Sequence, residues 1–154
     1  GKTEFERKET EPVTGDAAEF ASNISFSAGT NAYTEKATVN GIADVVVYKL
    51  GKSSAAGEAT VTIPAGTKSI SFYGVSWKAK EATLDIKIGG SSVYTQALAA
   101  NEGASNNSPY TLTVTSSDKY TYAFDTALTE AVTATVTTTG TNTRVILFGV
   151  QAAK

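Results

Sequence analysis

The stretch from Gly57 to Gly90, GEATVTIPAGTKSISFYGVSWKAKEATLDIKIGG, constrains the fold more than any other part of this chain. From Glu58 to Ile63, Ala59, Val61 and Ile63 alternate with Thr60 and Thr62, the period of a strand with one buried face. Pro64-Ala65-Gly66 ends it, with proline at the second and glycine at the fourth position of a type I turn. A second strand runs from Lys68 to about Val75, with Ile70 and Phe72 on one face and Ser71, Tyr73 and Val75 on the other. Gly74 is where a bulge would shift that parity. A third strand, Ala82 to Ile88, turns Leu84, Ile86 and Ile88 inward. Gly89-Gly90 supplies the positive φ that a two-residue hairpin loop needs, and Ser91 to Gln96 returns antiparallel.

The same periods recur elsewhere. Ala21 to Ser27 holds Ile24 and Phe26 at strand spacing, and Ala28 to Gly41 reads as a polar loop. Val45 to Leu50 is almost continuously apolar and β-branched, the mark of a strand covered on both faces. Thr143 to Gln151, TRVILFGVQ, has the same character, so both belong in mid-sheet, with Leu147 and Phe148 buried on opposite faces. Strands are also predicted over Tyr110 to Thr115, Lys119 to Asp125 and Ala131 to Thr138. Ala97 to Glu102 has room for one helical turn at most. About nine or ten strands at roughly 8–12-residue spacing, with no long helix, predict an all-β, antiparallel two-sheet β-sandwich, jelly-roll-like.

Residues 21–154 form one domain of a size that supports a single core. Residues 1–20 differ: Lys2, Glu4, Glu6, Arg7, Lys8, Glu9, Glu11, Asp16 and Glu19 are charged, which reads as a solvated leader or an edge strand through Phe5. The chain starts at Gly1 without methionine, which suggests a processed start, and no signal peptide is read there.

The absences are informative. There is no cysteine and no histidine, which removes disulfides, thiol nucleophiles, imidazole bases and His-ligated zinc. Ser-His-Asp and Cys-His catalysis need residues this chain lacks. The net charge of −2 offers no field to attract nucleic acid, and no apolar run is long enough for a transmembrane segment. Threonine-rich, cysteine-free strands suit an exported, extracellular or cell-surface domain.

The segment Val47 to Gly90 resembles β-sandwich modules of secreted and surface proteins of gut Bacteroidetes. Their K-L-G-x-S turn falls here on Lys49, Leu50, Gly51 and Ser53. Their G-x-x-T-x-x-x-P-x-G-T run falls on Gly57, Thr60, Pro64, Gly66 and Thr67. The F-Y-x-x-x-W-K-x-K element falls on Phe72, Tyr73, Trp77, Lys78 and Lys80. The match covers under a third of the chain and is built mostly of turn and core positions. It implies a jelly-roll or galactose-binding-like sandwich, exported and accessory to other domains, and carries over no catalytic residue.

Two function classes follow: a non-catalytic module binding a glycan or a cell-surface protein, or a structural or assembly domain of a larger envelope protein. For the first, Tyr73 and Trp77 with Lys78 and Lys80 at the rim form the candidate site, since a sugar's C–H face stacks on aromatic rings. Core packing is the competing role for Trp77, and an exposed indole would separate the two. Asp44, Asp85, Asp118 and Asp125 are not spaced as a catalytic pair. With Asn106 and Asn107 their oxygens could hold a structural calcium, although no D-x-D-x-D-G loop is present. No other cofactor is predicted.

Overall fold

The computed structural model describes residues 17–27, 29–105, 108–139 and 144–154. A short helix α1 (Ala17–Phe20) is followed by ten strands. These are β1 (Ala32–Val39), β2 (Ile42–Leu50), β3 (Glu58–Ile63), β4 (Ser69–Ser76), β5 (Ala82–Ile88), β6 (Ser91–Leu98), β7 (Tyr110–Leu112), β8 (Lys119–Ala123), β9 (Val132–Thr139) and β10 (Val145–Ala153). They form a six-stranded sheet, β7-β1-β2-β10-β4-β8, packed on a four-stranded sheet, β3-β9-β5-β6. Every pairing is antiparallel except β1 with β7. The chain is therefore an all-β two-sheet sandwich, as its periodicity predicts.

The organising hairpins stand as read. Ile88 pairs with Ser91, and Gly89 and Gly90 have φ of 61° and 81°, the positive values of a type I′ loop. The turn after β3 differs in type. Thr67 N donates to Pro64 O and Gly66 sits at φ 85°, so Pro64 is the first residue and glycine takes the positive-φ third position of a type II turn. Parity runs unbroken through Gly74. The bulge falls instead on the neighbouring strand, between Phe148 and Gln151, with Gly149 at φ 58°. That extra residue returns Val150 to the inter-sheet face beside Leu147.

β2 and β10 are central in the six-stranded sheet and divide the interior in two. Leu147, Val145, Tyr48, Leu50, Ile70 and Phe72 face the four-stranded sheet. Ile146, Phe148, Val45, Val47, Tyr73, Val75 and Trp77 form a second cluster on the outer face of the large sheet. The roof of that cluster comes from the β6–β8 connection. After β6 the chain passes Ser76, which pairs with Ala100, and runs to β7 at the β1 edge. It then returns to β8 beside β4, so it crosses the outer face twice. Asn40 and Asn101 hold the two passes. Asn40 Nδ2 donates to Val114 O at 3.0 Å and Val114 N donates to Asn40 Oδ1 at 2.9 Å. Asn101 Nδ2 donates to Thr113 O at 2.9 Å. Ala97–Glu102, read as a helical turn, is instead strand and extended connection.

The rest of the roof is α1. Phe20 is fully buried and sits edge-on to Tyr73 and Phe148, at ring distances of 5.4 and 5.8 Å. Packed structure thus starts within the stretch read as a charged leader. The edge strand expected through Phe5 lies outside the described residues.

Two readings of the N-terminal half are corrected. Ala28–Gly41, expected to be a loop, contains the eight-residue β1, closed onto β2 by Asn40-Gly41 at φ 49° and 85°. Its alternation is interrupted by Glu35, which shares a face with buried Ala37 and Val39 and accepts from the Tyr110 hydroxyl at 2.5 Å. Ala21–Ser27 is not a regular strand. It touches the edge of β3 through a bridge between Phe26 and Val61, followed by one between Thr30 and Glu58.

Candidate functional site

The aromatic residues expected to stack a ligand are interior. Tyr73 is 1% and Trp77 6% exposed. The reason is the double crossing of the outer face, which no local period announces. Tyr73 stacks flat on Phe148 at 5.3 Å beneath Phe20. Its hydroxyl donates to Glu19 Oε2 at 2.6 Å, and Lys119 Nζ donates to the same oxygen at 3.0 Å. Burial, then the Glu19 carboxylate, pushes the Tyr73 phenol up, while the Tyr73 and Lys119 bonds pull the Glu19 carboxyl below its usual value.

Trp77 is enclosed by cations. Arg144 lies 4.6 Å and Lys49 Nζ 5.1 Å from its ring, and Tyr110 meets it edge-on at 6.0 Å. Lys78 N donates to Ala104 O, tying the roof down just past the indole. Lys78 and Lys80 are exposed on the turn beyond β4, where Ala79 has φ 57°, and Lys78 pairs with Glu102 at 3.5 Å. The structure leaves Tyr73 in mid-β4 and Trp77, Lys78 and Lys80 at and beyond the end of that strand, and gives neither ring an open face.

Lys80 lines an open cleft of about 610 Å³ with Ala79, Glu81, Ala99 and Ala100, which holds no aromatic ring. Clefts with aromatic walls lie along β2, where β10 pairs only with Tyr48–Leu50 and residues 17–25 stand alongside. There the inner side of β1 and of early β2, with Thr34, Lys36 and Val46 exposed, overhangs the inter-sheet core. Register places Thr34 beside Tyr48 and Lys36 beside Val46. Val46 is 46% exposed, unlike its neighbours Val45 and Val47. The 21–27 segment lies along the overhang and lines two clefts that share Tyr48. One, about 410 Å³, is bounded by Ser22, Ser25, Asp44, Val46 and Tyr48. The other, about 200 Å³, is bounded by Phe26, Ser27, Thr34, Tyr48 and Leu50. Phe26 and Tyr48 meet edge-on at 4.9 Å between them. Asp44 is exposed and held at φ 60°, a conformation that non-glycine residues seldom keep without support from their surroundings. Apolar floor and hydroxyl rim together suit a ligand with C–H faces and many hydroxyls.

Sequence reasoning missed this site because a Val-Val-Val run looks buried throughout. The usable signal was Asp44 and the Asn40-Gly41 pair, which mark the hairpin that carries the overhang.

Two of the four aspartates weighed above, Asp85 and Asp118, are engaged by neighbouring groups. Ser92 Oγ donates to Asp85 Oδ1 at 2.5 Å, and Lys87 lies 3.9 Å from Asp85 Oδ2. Asp118 accepts from Thr115 N in a capping box, with its carboxyl raised by burial. Among the described residues no group of three or more acidic side chains could hold a metal ion. Asn106 and Asn107 lie outside the described residues. No described helix is long and apolar enough to cross a membrane.

No protein-family model matches this chain, and no curated protein matches it. Solved structures share its fold. The crystal structure of the Agl-KA catalytic domain matches with a TM-score of 0.54 at 12% identity, covering 90% of this chain and 28% of that one. A glycoside hydrolase family 43 arabinoxylan arabinofuranohydrolase from Bacillus subtilis, in complex with cellotetraose, matches with a TM-score of 0.52 at 16% identity, covering 84% of this chain and 26% of that one. CsCBM6-3 from Clostridium stercorarium, in complex with cellobiose, is matched at a TM-score of 0.45 and 11% identity, over 92% of this chain and 99% of that one. The chain thus spans about a quarter of the length of the first two structures.

Proposed function

We propose that this chain is a non-catalytic, extracellular module that binds a glycan in the β1–β2 overhang. The observation that carries the reading is the exposed Val46 beside Tyr48, at the floor of a cleft rimmed by Ser22, Ser25 and Asp44. A neutral sugar offers little charge to grip, so affinity comes from its C–H faces on apolar and aromatic surface, with hydroxyls and a carboxylate fixing orientation. The fold, shared with part of an arabinofuranohydrolase solved with cellotetraose, agrees with work on polysaccharides. The missing histidine and cysteine, and carboxylates engaged elsewhere, favour binding without turnover.

The test is a titration of soluble plant and bacterial oligosaccharides by calorimetry, followed by Val46→Lys on any ligand found. Val46 is a surface residue, so the variant folds with stability changed by about 0.5 kcal/mol or less. Loss of at least about tenfold in affinity, roughly 1.4 kcal/mol, is expected. Binding that survives Val46→Lys within about twofold (roughly 0.4 kcal/mol) would place the site elsewhere.

A further inference from the structure

We propose that the open edge of β6 pairs with β6 of a second copy of this chain, joining the two four-stranded sheets into one of eight. The edges of the sandwich differ in how they are protected, and this contact does not depend on glycan binding.

Free strand edges invite pairing, and natural proteins blunt them with short strands, charges or covering segments. Every other described edge is blunted in one of these ways. β7 has three residues. β8 has five, with Lys119 at its start. The upper half of β1 carries Glu35 and Lys36. The edge of β3 is covered at Phe26, Ser27 and Thr30, where Ser27 N donates to Thr60 O and Glu58 N to Thr30 O. Among the described residues β6 pairs only with β5; it has eight residues, SSVYTQAL. No charged residue and no proline occurs between Gly89 and Asn101. A bulge at Val93, opposite Ile86 and Lys87, blunts its first half and leaves Tyr94 to Leu98 as a regular, uncharged edge.

A neutral strand offers no handle to a charged partner. It meets an identical strand with no like charge opposite. A two-fold axis through Thr95 sets Thr95 against its own copy, with Tyr94 opposite Gln96 on either side and the bulge at Val93 ending the regular pairing. That isologous contact closes both edges at once, so it yields a dimer and not a filament. Pairing of one short strand buries less than an obligate interface, so the dimer is weak and forms with rising concentration.

Sedimentation equilibrium over a concentration series tests this on the chain as it stands. Thr95 is exposed and on the outward face, so lysine there points to water in the monomer and meets its copy's ammonium in the dimer. The wild type is expected to show a monomer–dimer equilibrium, and Thr95→Lys to weaken it at least about tenfold. Thr133→Lys adds the same charge to an exposed site on β9 and should leave dimerisation within about twofold. A wild type that stays monomeric at the highest soluble concentration would overturn the proposal. So would a dimer equally stable in Thr95→Lys. Glycan affinity measured on Thr95→Lys reports separately on the β1–β2 overhang.

Discussion

Truncating Leu147 and Phe148 separately asks whether one strand seals two interiors. Leu147 is 1% exposed and faces the four-stranded sheet, where it lines a wholly apolar void of about 20 Å³ with Ile70, Phe72 and Val136. Alanine there enlarges a void that the surrounding strands already fail to close. The loss therefore belongs in the upper part of the usual range, about 3–5 kcal/mol. Phe148 is 0% exposed and faces the opposite way, stacked on Tyr73 and edge-on to Phe20. Its removal forfeits both ring pairs as well as its volume, for about 3–5 kcal/mol in total. A 4 kcal/mol loss in a chain of this size lowers Tm by about 8–16 °C. Urea unfolding followed by Trp77 fluorescence gives each value, with unchanged slope as the sign that both states keep their compactness. A loss under about 1 kcal/mol at either site would show that its face is open to water and refute the two-sided core.

Three further outcomes are expected. Gly149→Ala puts a Cβ 3.1 Å from the Tyr73 ring and 3.3 Å from Glu19 O at a φ of 58°. It should cost about 2–4 kcal/mol in chemical denaturation, and a neutral result would refute the bulge geometry. The folded-state value of Glu19 is depressed below 4.5, so its contribution to stability is present above that pH and is lost as pH falls through the folded value. Glu19→Gln should therefore flatten the acid limb of the stability–pH curve, and an unchanged limb would show that the Tyr73 and Lys119 contacts contribute nothing. Millimolar calcium should leave Tm unchanged, whereas a concentration-dependent rise would reveal a site that the described residues do not form.

Much of the fold was legible because a strand covered on one face writes its environment into a two-residue period. Glu58–Ile63, Ala82–Ile88 and the Gly89-Gly90 loop could be read one residue at a time. β10 could be read as central because its apolar run leaves no face for water. β1 was illegible for another reason. Glu35 stands on the same face as buried Ala37 and Val39, where it accepts from the Tyr110 hydroxyl, so the apolar alternation is interrupted by a charge.

The sequence by itself determined the alternation of strands, the hairpin turns and the absence of thiol and imidazole chemistry, all matters of neighbouring residues and composition. Tertiary structure decided which positions outside those one-faced strands met water. Trp77 and Val46 show the exchange. The indole, which the sequence left between a ligand-stacking and a core role, is roofed by the passes that carry Ala104, Tyr110 and Val114, far along the chain from it. The valine that looked buried is exposed because the inter-sheet core that covers Tyr48 and Leu50 of the same strand stops short of Val46. Exposure is set by what distant segments cover, and that information is carried by no local pattern.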